Sequence, residues 1–188
     1  MKKALSIVII VCYIMSAFLF SVAEETTKSS DATFDLSSEQ QKIAELGIPT
    51  VSSVGELKKN AEELWKAKDY KNAAEAYAIY AKQANWLANI ITAGLDPFYG
   101  ASSSARKSFS ISEFNKDSKY NLINAEKKAN EYKRERNRAM LYEGLCYYHL
   151  NDYETGLPLL IKALDLIDIE DTVNWKLGME ALYSIVGY

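Results

Sequence analysis

Apolar positions recur every three or four residues between 139 and 166, AMLYEGLCYYHLNDYETGLPLLIKALDL, which is the spacing of one helix face. The polar pair Asn151-Asp152 interrupts the pattern as a turn signal. The stretch therefore predicts two short antiparallel helices. Gly144 on the first, with Gly156 and Ala163 on the second, would let the axes approach to the near end of the usual ~8–10 Å range. Tyr147, Leu150, Leu160 and Leu164 would fill the space around them. A helical glycine costs about 1 kcal/mol relative to alanine, so these glycines make sense where close packing offsets that cost. Thr155 is expected to cap the second helix, which would place Pro158 in its first turn.

Similar patterning brackets this hairpin. Residues 57–81, LKKNAEELWKAKDYKNAAEAYAIYA, predict another pair of helices, opened by a Ser53-to-Glu56 capping box. Little breaks the second helix of that pair before Gly94. At the C-terminus NWKLGMEALYSIV is periodic, with Trp175, Leu177, Leu182 and Ile185 apolar and Asp171 or Thr172 as its cap. Residues 94–110, GLDPFYGASSSARKSFS, read as a loop, and 111–150 as one or two helices feeding the second hairpin.

The N-terminus has a different character. Met1-Lys2-Lys3 precedes an uncharged run from Ala4 to Ala23 that ends in Ser21-Val22-Ala23. This predicts a signal peptide over residues 1–23, cut after Ala23. An uncleaved membrane anchor is the alternative, because the run is long enough to span a bilayer; membrane association would then pass through residues 4–23. Either reading places the remainder of the chain outside the cytoplasm. Residues 24–52 read as a flexible lead containing one short helical run, EQQKIAEL, closed by Gly47 and Pro49.

The order Gly144, Tyr147, Tyr153, Gly156, Leu160, Ala163, Leu164 resembles the tetratricopeptide (TPR) helical hairpin, and Gly178 follows Gly144 by one 34-residue TPR period. Residues 57–81 place Ala61, Leu64, Tyr70, Ala73 and Tyr77 at matching positions, although Tyr80 stands in the next small slot. Tyr70 and Tyr153 lie 83 residues apart, not a multiple of 34, so something irregular separates the hairpins. The resemblance implies an all-α fold over residues 53–188: antiparallel helical hairpins in a short right-handed TPR-like stack, with a lone terminal helix covering its end. It also implies a groove lined by the first helix of each hairpin. The groove-facing positions would be Lys58, Glu62, Trp65 and Lys66, then Arg138, Leu141, Leu145, Tyr148 and His149, then Trp175, Met179 and Tyr183. Lys58, Trp65, Lys66, Arg138, Leu141, Tyr148, Trp175 and Met179 are the expected binding residues, since aromatics and arginine dominate binding hot spots. Glu62 replaces the Asn of the family's carboxylate clamp, which argues against that mode.

Composition narrows the chemistry. Losing Lys2 and Lys3 with the leader takes the net charge from −3 to −5, which gives no reason to expect nucleic acid. Cys146 is then the lone cysteine, so a disulfide framework is excluded. A single histidine, His149, cannot build a His-based metal site, and no phosphate loop or nucleophile motif appears. Asp165, Asp168, Glu170 and Asp171 lack the spacing of a calcium loop. No catalytic residue, metal or cofactor is expected. The basic stretch 126–138, EKKANEYKRERNR, reads as a solvated helix face laced with short-range ion pairs. The sequence thus predicts an extracytoplasmic TPR-like scaffold or adaptor that binds a protein or peptide, not an enzyme. The alternative is a membrane-anchored structural protein of the cell envelope whose basic helix contacts anionic lipid.

Overall fold

The computed structural model describes Glu45 and residues 47–188. The contacts divide the chain after Gln41 into two units, and the described residues belong to the second. The leader or anchor over residues 1–23, the lead that follows it, and the EQQKIAEL run apart from the helical Glu45 lie outside the described residues.

The described chain is all-α. Its helices are α1 (Val51–Lys66), α2 (Tyr70–Ala93), the one-turn α3 (Asp96–Tyr99), α4 (Ser103–Ile111), α5 (Lys116–His149), α6 (Tyr153–Leu166) and α7 (Thr172–Val186), with a 3₁₀ turn at Glu113–Asn115 before α5. Packing runs in sequence: α1 against α2, α2 along α5, α5 against α6, and α7 across both α5 and α6. Among the described residues no helix is long and apolar enough to cross a membrane.

The two hairpins turn in the same way. In the first, the Asp69 amide donates to Leu64 O at 3.0 Å and Lys68 N to Trp65 O at 2.9 Å. In the second, the Asp152 amide donates to Tyr147 O at 3.0 Å and Asn151 N to Tyr148 O at 3.1 Å. These are the paired bonds of a Schellman ending, which satisfy the last carbonyls of α1 and α5. The motif needs a left-handed residue, supplied by Lys68 (φ 60°) and Asn151 (φ 59°). Each following aspartate then caps the next helix, Asp69 accepting from Asn72 N and Asp152 from Thr155 N.

This turn corrects one expected cap. Asp152, not Thr155, begins α6, so Pro158 lies inside the helix and not in its first turn. A second cap also moves. Thr50 and Ser53 form the capping box of α1 through reciprocal bonds of 3.0 and 2.9 Å, in place of the expected Ser53–Glu56 box. The helix accordingly starts three residues earlier, because Thr50 holds the extended backbone a cap requires. Residues 94–110 are not a loop. Gly94 does close α2, but Ser102 caps α4 by accepting from Ala105 N, and the serine-rich stretch continues as helix.

Two apolar clusters hold the helices together. The first lies among α1, α2 and α5, and its α2 side is mostly alanine: Ala73, Ala74, Ala81, Ala84 and Ala88 are buried beside Tyr77 and Tyr80. Small side chains let α2 lie close along α5. The second gathers Leu141, Leu145, Leu160, Ala163 and Ala181 from α5, α6 and α7. Glycines set the closest approaches there. A Cβ on Gly144 would sit 3.0 Å from Leu160 Cγ, and one on Gly178 2.8 Å from Leu141 Cδ1 and 2.9 Å from Leu164 Cδ2.

Candidate functional site

A cleft of about 420 Å³ opens between α1 and α5, floored by α2 and reached by the start of α7. Its α1 side carries Lys58, Glu62, Trp65 and Lys66, one helix face at intervals of three and four. Its α5 side carries Glu135, Arg138, Ala139 and Tyr142, again one face. Tyr77 and Tyr80 form the floor, and Asn174 enters from α7.

The aromatic side is interlocked. Trp65 packs edge-on against Tyr142 (5.0 Å between ring centres) and Tyr70 (5.4 Å). Tyr142 stacks on Tyr77 at 5.3 Å, and His149 stacks on Tyr70 at 4.4 Å. Such pairs add roughly 0.5–1.5 kcal/mol each beyond area burial, so Trp65 presents a fixed surface to the cleft. The role found for His149 is this ring contact. Burial, and after it Lys68, lowers its pKa.

The polar side is ordered by two ion pairs between elements. Lys58 Nζ donates to Glu135 Oε1 at 2.7 Å, and the Tyr80 hydroxyl donates to Glu135 Oε2 at 2.6 Å. Burial pushes the Glu135 pKa up, but the bonds from Lys58 and Tyr80 and the charge of Lys58 outweigh it, leaving the carboxyl below its ordinary value. The Tyr80 phenol shifts upward, first by burial and then through its bond to Glu135. Arg138 Nε donates to Asp171 Oδ2 at 2.6 Å, and Asn174 Nδ2 donates to both Asp171 oxygens at 2.9 and 3.0 Å. These bonds outweigh burial and lower the Asp171 pKa. Among the described residues, Lys66 and Glu62 enter no ion pair, so their charges remain available at the rim.

Of the expected binding residues, Lys58, Trp65, Lys66 and Arg138 share this cleft. Leu141 does not. It is 0% exposed, enclosed in the second cluster and held against Gly178, so it is a core residue. Leu145, expected in the same face, is likewise buried. Tyr148 is half-buried beside that cluster and donates to Ser184 Oγ at 3.0 Å, which ties α5 to α7. Trp175 packs on the same cluster, and Met179 is partly exposed on α7 without lining the cleft. Sequence reading missed Tyr77, Tyr80, Glu135, Tyr142 and Asn174. Glu135 and Tyr142 were within reach, since they stand three before and four after Arg138 on one helix face.

The basic stretch is split between sides of α5. Arg138 faces Asp171, whereas Arg136 donates to Asn85 Oδ1 at 2.8 Å and to Asn137 Oδ1. The expected short-range pairing survives as Lys128–Glu131 at 2.9 Å, while Glu135 turns to Lys58 instead. Among the described residues no group of His, Cys, Asp or Glu is arranged to hold a metal ion. No protein-family model, curated protein or solved structure matches this chain.

Proposed function

We propose that this chain is an extracytoplasmic scaffold or adaptor, built as a short TPR-like stack, that binds a protein or peptide segment in the cleft between α1 and α5. The convergence of Trp65, Lys66 and Arg138 from two separate helices on one cleft carries the reading. Aromatic and arginine side chains are the groups that dominate binding hot spots. The interlocked rings of Trp65, Tyr142 and Tyr77 offer a preformed platform for an apolar side chain of the partner. Lys66 and Glu62 offer unpaired charges for its polar groups. Repeated Schellman turns at Lys68 and Asn151, and the fit of Gly178 onto Leu141, support the repeat reading. The uncharged run from Ala4 to Ala23 behind Lys2 and Lys3 supports export. In this reading the chain performs no catalysis itself.

A displayed library of random peptides, selected on the purified chain, tests the cleft. Selected peptides should lose at least tenfold in affinity on Trp65→Ala and on Lys66→Glu, the latter at an exposed position, with helical circular dichroism confirming that both variants fold. Peptides that bind both variants as well as the original chain would sink the assignment. N-terminal sequencing of the exported protein tests the location, with Glu24 as the expected first residue.

A further inference from the structure

The segment between the hairpins builds a second cavity, separate from the cleft and sharing no residue with it. It occupies about 690 Å³ among the end of α2, α3, α4 and the start of α5, within the roughly 300–1,000 Å³ range of small-molecule pockets. Its walls include Ile91, Leu95, Phe98, Phe109 and Leu122. Phe98 and Phe109 meet edge to face with ring centres 5.5 Å apart, which fixes that wall. Among the described residues lining it, Arg106 is the sole charged side chain.

Arg106 is held without being neutralised. Its Nη1 donates to the carbonyls of Tyr99 at 2.6 Å and Ala101 at 2.8 Å, both uncharged acceptors. Among the described residues it enters no ion pair. Those two bonds use the two hydrogens of Nη1. The Nε–Nη2 edge, the one that grips a carboxylate through two parallel bonds, is left over. An open, mostly apolar pocket with one anchored guanidinium outside any ion pair matches a molecule with an apolar body and one negative charge.

We infer that this cavity binds a medium- or long-chain fatty acid, with its carboxylate on Arg106 and its alkyl chain between Phe98, Phe109 and Leu122. A carboxylate fits the single planar donor edge, and one charge fits one guanidinium.

Isothermal titration of the purified chain with laurate, kept below its micellar concentration, tests the inference, with dodecanol as the uncharged partner of equal length. Laurate should bind saturably at one per chain and at least tenfold more tightly than dodecanol. Arg106→Gln should erase that preference while dodecanol binding persists, which also shows that the variant is folded. Leu122→Trp should fill the chamber and abolish both, with the helical circular dichroism unchanged. Absence of saturable laurate binding, equal affinity for the two molecules, or an unchanged preference in Arg106→Gln would overturn it. Because the peptide cleft lies elsewhere, Trp65→Ala should leave laurate binding intact, so failure of one site is distinguishable from failure of the other.

Discussion

Lys58 on α1 and Glu135 on α5 stand 77 residues apart in the chain and meet at 2.7 Å, with the Tyr80 hydroxyl on the second oxygen of the same carboxylate. One acid therefore ties three helices together. Glu135→Ala would leave a buried phenol and a lysine without their acceptor. The expected loss is about 1–3 kcal/mol at neutral pH, read from denaturant unfolding. The folded pKa of Glu135 is lowered, so its contribution is full above the unfolded value of about 4.3. It disappears as the pH falls through the folded value. The gap between the variant and the parent chain should accordingly close on acidification, and a gap independent of pH would contradict this account.

Gly178 lies where α7 crosses α5 and α6, with space for no Cβ between Leu141 and Leu164. Gly178→Ala should destabilise by about 1–3 kcal/mol through overpacking, although alanine is the better helix former. Gly55 in α1 has nothing within 4 Å of the same added atom. Gly55→Ala should therefore stabilise by up to about 1 kcal/mol. Opposite signs in thermal unfolding of the two variants are the expected result.

Lys68 holds the left-handed position of the first Schellman turn, where Asn151 serves in the second. A lysine pays a steric penalty there that glycine avoids. Lys68→Gly should raise stability by roughly 0.5–1 kcal/mol, less than the full penalty because glycine also loosens the unfolded chain. No gain in the unfolding midpoint would show that this turn is not strained.

Glu143 is a half-buried carboxyl whose pKa is raised by burial, with Lys82 offsetting only part of the shift. A raised folded pKa means that the neutral form suits the fold, so stability is lost as pH rises through that value. Glu143→Gln should be more stable than the parent at pH 7, by less than about 1 kcal/mol given its partial exposure. The advantage should vanish below the ordinary carboxylate range. Unfolding midpoints of both proteins across that interval check the sign.

Cys146 is 0% exposed, and burial, followed by the charge of Glu143, pushes its thiol up to about 12. Only the thiolate reacts at an appreciable rate. In a chain prepared without residues 1–23, and so without Cys12, the native protein should resist thiol reagents at pH 8, and one equivalent should react promptly once denaturant is added. Rapid labelling of the native chain would place the thiol outside the core.

The hairpin at 139–166 and its relation to Gly178 were legible in the order of residues because close helix approach admits few side chains. A glycine that costs helix stability is informative wherever it recurs at a fixed interval. The same logic located the end of α2 at Gly94. Caps were legible only to within a few residues. Thr50, Ser53, Asp152 and Thr155 can all accept from a backbone amide, and the packing of the previous turn selects among them. The helices inside 94–111 were not legible, since serine, glycine and proline signal turns and caps alike. The groove was read partly wrong because adjacent faces of α5 differ by a single residue. Leu141 is buried while Tyr142 opens to the cleft, and local periodicity does not fix that rotation.

By itself, the sequence determined the helical class, the position of the two hairpins and the small residues at their crossings, because these follow from local spacing and steric size. Tertiary structure alone decided which face of α5 meets the core, which acid Lys58 finds, and that the segment between the hairpins lines an open apolar pocket. Those outcomes depend on helices distant in the chain arriving at one place, and pairings at a separation of 77 residues leave no periodic trace in sequence.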